Sequence, residues 1–306
     1  MNAAADPRPP RRITPFDAVH FADAGSGFPL TDASIIALVQ DALDEDAAMR
    51  DVTTIATVRS GLKARAMLVA REAGVIAGIP LALAAFRLLD PEVSIRVDVE
   101  DGSSVGKGTE VLFLSGRARG LLSAERTALN FMQRLSGIAT LTRKFVDAVK
   151  GTRAQIVDTR KTSPGRRALE KYAVRCGGGA NHRFDLAEAV LIKDNHLAAL
   201  GGDIAEAVRR VREHAEPGTP VQLECDSVEQ VRAAVDAGVE SVLLDNMSLN
   251  ALKECVAICA GRCVTEASGG VTLSTAALIA ATGVDRISVG ALTHSAPAMN
   301  LALDFE

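Results

Sequence analysis

Tryptophan is absent from this 306-residue chain and tyrosine occurs once, at Tyr172. That leaves little material for the stacked aromatic platforms on which single-stranded nucleic acids are read. An excess of one charge is missing too. The chain has 34 basic and 38 acidic residues and a formal net charge of −4, so no global basic field attracts a polyanion. No apolar run approaches the length of a membrane span. The first twelve residues, MNAAADPRPPRR, have no apolar segment behind them, so residues 1–30 read as a flexible tail and not as a secretion signal. Five cysteines, an odd number in a long chain, suit a reducing compartment and a cytoplasmic location. Neither nucleic acid nor a membrane is expected as a partner.

What is present is an ordinary globular mix with a change of rhythm partway along. Residues 31–49 predict a helix, with Thr31 or Asp32 as its cap and Ile35, Ile36, Leu38, Val39 and Leu43 as apolar positions. AMLVA (66–70), VSIRVDVE (93–100) and EVLFLSG (110–116) read as strands. Ile95, Val97 and Val99 alternate with polar neighbours, which marks a sheet with one wet face. PLALAAFRLL lies between as a short helix, giving a small domain over 31–125. Ser123 is then expected to cap a long helix. Beyond Gly151, apolar runs alternate with helical ones: QIVDTRK, AVLIKDNH, VQLECDS, SVLLDN, CVTEASGG and RISVG. That alternation predicts βαβ units and a parallel sheet, an incomplete α/β barrel over 126–296.

Each apolar run ends in a charged or small polar group: Asp158, Arg160 and Lys161; Lys193 and Asp194; Glu224; Asp245; Glu266 and Ser268. In a parallel barrel these ends converge on one mouth, where such folds place their chemistry. Strand ends are also surface, and surface is often charged, but that explains one or two cases better than five. The groups divide by sign. Arg160, Lys161, Arg166, Arg167, Lys171, Arg175, His182, Arg183 and Lys193 cluster early, whereas Glu224, Asp245 and Glu266 come late. A cationic wall suits carboxylates and phosphates. An anionic wall suits sugar hydroxyls or Mg²⁺. Ser268-Gly269-Gly270, and Gly290 followed by Thr293, His294 and Ser295, form two glycine turns after the last strands, where barrels often cradle phosphate.

Plainer readings apply elsewhere. Cys255, Cys259 and Cys263 are spaced by four but match no zinc pattern, and they read as buried packing. His20 and His214 lack motif context and read as surface. His196 could buttress Lys193, Asp158 could pair with nearby cations, and Glu266 could bind ligand or pair with a lysine. The basic cluster lacks interleaved aromatics, which argues against a nucleic-acid surface.

The block DTRKTSPGRRALEKYAVRCGGGANHRFDLAEAVLIKDNH (158–196) closely resembles the signature of the quinolinate phosphoribosyltransferase family. ERTALNFMQRLSGIAT (125–140), LECDS, LLDNMS, EASGG and ISVGALTHSA support it. The resemblance implies an N-terminal α/β sandwich followed by the incomplete barrel, with residues 297–306 packing back on the first domain. It implies transfer of a phosphoribosyl group from phosphoribosyl pyrophosphate (PRPP) to quinolinate, with Mg²⁺ and with decarboxylation, in NAD biosynthesis. It also implies a homodimer whose active sites are shared. By motif position, Thr159, Arg160, His182 and Arg183, with Arg126 from the neighbouring subunit, would bind substrate. Lys161 and Lys193 would face the pyrophosphate and the reacting centre. Glu224 and Asp245 would hold the ribose hydroxyls, directly or through Mg²⁺. Ser268, Gly269, Gly290 and His294 would bind the 5′-phosphate. Ser163, Arg166 and the pair Phe184-Asp185 depart from the family pattern beside these ligands. A nicotinate-type transferase without decarboxylation, or a non-catalytic relative, is the alternative.

Overall fold

Ile35, Val39 and Leu43 recur every four residues, and all three are buried on one stripe of helix α1 (Asp32–Glu45). Burial of each such side chain contributes roughly 1.5–3 kcal/mol. Thr31 starts the helix by accepting the Ser34 N–H on its side-chain oxygen, so the cap is Thr31 and not Asp32. The computed structural model describes residues 11–13 and 27–306. Most of the expected tail and His20 lie outside them. Within the tail, Arg11–Ile13 form a strand, β1.

The chain divides into two compact units, 1–140 with 297–306, and 141–296. In the first, a short 3₁₀ turn (Ala48–Arg50) and α2 (Val52–Thr57) follow α1. Then come β2 (Lys63–Ala70), β3 (Gly74–Val75), α3 (Ile79–Leu89), β4 (Ser94–Val97), β5 (Ser104–Val105) and β6 (Glu110–Arg117). The C-terminal strand β13 (Leu301–Phe305) returns to this unit. The sheet order is β1-β4-β6-β2-β13, antiparallel throughout. β3 and β5 pair separately. β4 stops at Val97, so the expected alternation does not reach Val99.

Helix α4 (Ala118–Ala148) runs across the division, which therefore falls at 140/141 and not at the expected 125/126. It also begins five residues before the expected cap. Ser123 is inside the helix, and its hydroxyl donates to Asp51. A glycine is required at Gly137, where the Pro297 carbonyl approaches too closely for any Cβ.

The second unit is built on β7 (Gln155–Val157), α5 (Arg167–Cys176), β8 (Val190–Ile192), α6 (Asp194–Ala199), α7 (Ile204–His214), β9 (Val221–Cys225), α8 (Val228–Asp236), β10 (Ser241–Asp245), α9 (Leu249–Cys259), β11 (Val264–Ser268), α10 (Leu273–Ala280), β12 (Arg286–Ser288) and α11 (Ala291–His294). Its six strands are all parallel, in the order β7-β12-β11-β10-β9-β8. This is the expected incomplete barrel: the sheet ends at β7 and β8. The piece hidden in the sequence is a single bridge, Val157 to Ala180, which lays the segment after the glycine loop alongside β7.

The pleat sorts side chains to two faces. Leu223, Cys225, Val242, Leu244 and Ile287 share one face and are buried. Register places Glu224, Leu243 and Glu266 level on the other face, and Asp245 level with Ser268. Cys255 and Cys259 pack as small apolar groups, and burial pushes the Cys225 thiol up to about 12. Among the described residues no helix is long and apolar enough to cross a membrane.

Candidate active site

Parallel strands bring their C-terminal ends to one edge, and the sequence-expected groups of the second unit gather there. β7 leads into Asp158, Thr159, Arg160 and Lys161. The Thr159 hydroxyl accepts the Lys161 N–H at 3.1 Å, and the Thr293 hydroxyl donates to the Lys161 carbonyl at 2.7 Å. The aliphatic stem of Lys161 and the His294 ring both crowd Gly290, so that a Cβ there would lie 3.1 Å from the first and 3.2 Å from the second. Thr159, Lys161, Gly290 and His294 therefore form one wall.

The second wall is the arginine pair. The Nε of Arg160 is buried and has no hydrogen-bond partner among the described residues. Burial holds the Arg183 guanidinium below its ordinary range, and the neighbouring Arg160 charge adds to that. Arg183 is tied at one terminal nitrogen to the Ala189 carbonyl, 2.7 Å away. Two half-buried guanidiniums that repel each other, one with an idle donor, form a receptor for a carboxylate or phosphate.

Beneath them lies a polar interior. His182 Nδ1 accepts the Arg183 backbone N–H at 2.8 Å, which places the ring proton on Nε2. Nε2 faces Gln222 Oε1 at 3.0 Å and Glu266 Oε2 at 3.4 Å, and Gln222 donates to Glu266 at 3.0 Å. Both ring nitrogens are thus engaged within the protein. Glu266, fully buried, pairs with this histidine and not with a lysine. Desolvation pushes its carboxyl up, but His182, Gln222 and Ser288 together outweigh it and hold it below its ordinary range. Its Oε1 has no hydrogen-bond partner among the described residues.

Lys193 and Glu224 form a third cluster, Nζ to Oε2 at 3.1 Å. His196 Nδ1 accepts the Lys193 N–H at 2.9 Å, the buttress anticipated from KDNH. Asp245 ends β10 and accepts from Asn246 at 2.7 Å. Asn246 is left-handed, donates its N–H to the Ser268 carbonyl, and lies so close over Gly269 (φ +93°) that no side chain fits there. Asn246 is not among the sequence-expected groups. Its only signal was an asparagine just after a strand, a common site of left-handed backbone. Gln222 and Asn181 were missed as well. Arg126 belongs to the first unit and is exposed on α4.

A half-barrel with an arginine whose buried Nε has no hydrogen-bond partner among the described residues, a lysine–carboxylate pair and two glycine turns at its mouth defines a class: α/β-barrel proteins that bind a small polyanion. Within that class the chain belongs to the quinolinate phosphoribosyl transferase family. The family's N-terminal domain matches residues 51–136 and its C-terminal domain residues 138–304. The chain is 48% identical over 259 residues to the nicotinate-nucleotide pyrophosphorylase [carboxylating] of Mycobacterium leprae, covering 83% of this chain and 90% of that one. It is 42% identical over 239 residues to a probable enzyme of the same name from Bacillus subtilis, covering 78% and 82%. The solved nicotinate-nucleotide pyrophosphorylase of Ehrlichia chaffeensis superposes with a TM-score of 0.85 at 38% identity, covering 90% of this chain and 99% of that one.

Proposed function

We propose that this chain transfers the phosphoribosyl group of PRPP to quinolinate and releases pyrophosphate and CO₂, giving nicotinate mononucleotide for NAD biosynthesis. The observation that carries the reading is the buried, partnerless Nε of Arg160 beside Arg183. A ligand with two adjacent carboxylates supplies both guanidiniums with planar acceptors. Arg160 and Arg183 grip quinolinate, with His182 beside them and Thr159 at the edge. The grip aims the ring nitrogen at the anomeric carbon, and orientation of this kind lowers a barrier by several kcal/mol or about 7–11 at best. As the sugar–pyrophosphate bond breaks, Lys161 and Lys193 stabilise charge on the leaving group without reorganising. Ser268, Gly269, Gly290 and His294 hold the 5′-phosphate. Once alkylated, the ring nitrogen is a cation and stabilises the carbanion that departing CO₂ leaves on the adjacent ring carbon, which then takes up a proton from water. No protein nucleophile is needed.

Glu224 and Asp245 hold the ribose hydroxyls, directly or through Mg²⁺. They share the inward face of adjacent strands, but among the described residues no group of three or more potential ligands gathers to hold a metal. Two carboxylates fit Mg²⁺ only with substrate oxygens and water completing its shell, which is its usual habit with phosphates. When bound, the ion would neutralise pyrophosphate charge.

The active form is a homodimer that shares its sites, with Arg126 supplied across the interface. Exposed apolar side chains in the first unit support this: Met49 is 71% and Val52 79% exposed. All five cysteines are free thiols, in keeping with a cytoplasmic enzyme.

Purified protein with quinolinate, PRPP and Mg²⁺ should release pyrophosphate and CO₂ in equal amounts. Pyrophosphate release with nicotinate, and without CO₂, would favour the non-decarboxylating alternative. No turnover of either substrate would leave a binding protein on the same fold.

A further inference from the structure

Asp158 and Lys171 take no part in the chemistry above, yet they are 0% and 2% exposed. Asp158 Oδ1 accepts from Lys171 Nζ at 2.5 Å and from the His182 N–H at 2.9 Å. Its Oδ2 accepts from Asn181 Nδ2 at 2.6 Å. Lys171 Nζ reaches the His182 carbonyl at 2.9 Å, and the Asn181 amide also donates to the Lys171 carbonyl at 2.9 Å. The Asp158 N–H donates to Ala180 at 3.1 Å.

These bonds converge in an informative way. Asp158 lies two residues before Arg160. Its partners are the two residues immediately before Arg183, and the His182 backbone is held at both its N–H and its carbonyl. One carboxylate therefore joins the two chain segments that carry the arginine grip, and a lysine from α5 supplies its countercharge. A pair that served only to fasten a helix to a strand would have no need to hold 181 and 182 as well.

We propose that Asp158 and Lys171 are positioning residues that set the separation of Arg160 and Arg183, and so the specificity for two adjacent carboxylates. The inference rests on the quinolinate reading above.

Asp158→Asn leaves Lys171 buried without a countercharge and should melt below wild type. A neutral pair of similar volume can replace a buried ion pair at little cost. The double variant Asp158→Asn/Lys171→Met should therefore recover most of the melting temperature. By calorimetry, both variants should bind quinolinate at least tenfold more weakly, with PRPP affinity changed less than threefold. Recovery of wild-type quinolinate affinity together with the melting temperature would mean that the pair is structural only, and would overturn the proposal. Equal weakening of both ligands would overturn it as well. If the double variant does not fold, Asn181→Ala, at a partly exposed position, decides: a threefold or greater loss for quinolinate alone supports the proposal, and no loss rejects it. Wild-type protein that fails to bind quinolinate would overturn the functional reading and this inference together. Wild-type binding with undiminished variants would overturn this inference alone.

Discussion

At the scale of single residues, the grip depends on fork geometry more than on charge. Arg183→Lys keeps the charge but loses the planar pair of donors. Quinolinate affinity should fall at least tenfold, about 1.4 kcal/mol, and PRPP affinity much less. Titration calorimetry of the variant checks this, and unchanged quinolinate affinity would refute the role given to Arg183. Lys161, Lys193, Glu224 and Asp245 were legible in the sequence because each stands where an apolar run stops. Gln222 was not, because it sits inside the run VQLEC. Only the register with Leu191 and Ser241 shows that it faces inward. Asp158 could be read as a partner for cations, but which cation it meets depends on how α5 folds back.

At the scale of elements, helix α7 stabilises itself by local charge. Arg209 and Arg210 both bond Glu206, at 2.8 and 2.6 Å, on a surface-facing stretch. Hydrogen bonds from Arg209 and then Arg210 lower the Glu206 carboxyl to about 2. The folded value lies below the ordinary 4.5, so the stability this group adds is fully present above about pH 4.5 and is lost as pH falls toward 2. Exposure and salt keep that contribution small. Carboxyl NMR should place the Glu206 midpoint below those of the other exposed glutamates; a midpoint near 4.5 would show that the pairs do not persist in solution. Helices α7, α8, α9 and α10 and the parallel strands of the second unit are legible from periodicity, which is a local property, whereas α5, α6 and α11 are not. β1 and β13 were not read as strands, because each is short and gains its identity only by pairing with β4 or β2 far along the chain. The start of α4 was misplaced for a related reason: Ser123 looks like a cap, but its hydroxyl is engaged by Asp51, seventy-two positions earlier.

At the scale of the whole molecule, a shared site makes a quantitative prediction. Arg126→Ala and Lys193→Ala homodimers should each be nearly inactive. After subunit exchange, half the dimers are mixed and each has one intact site, so activity should return to about a quarter of wild type. Sedimentation and turnover of the mixture check this: no recovery would mean that Arg126 acts within its own chain, and a fully active Arg126→Ala homodimer would mean that it does not act at all. The division of charge along the sequence, bases early and acids late, pointed to a cationic wall facing an anionic one, whereas at the barrel mouth the two signs pair, Lys193 with Glu224. It could not foretell the polar layer beneath them, where His182, Gln222 and Glu266 meet from three separate segments.

The proposed reaction turns on what fills the space beside Arg160. A crystal structure with quinolinate bound should place one carboxylate on the Arg160 Nε and the other on Arg183, with the ring nitrogen turned toward Lys193 and Glu224. Quinolinate bound elsewhere, with the Arg160 Nε still without an acceptor, would contradict it.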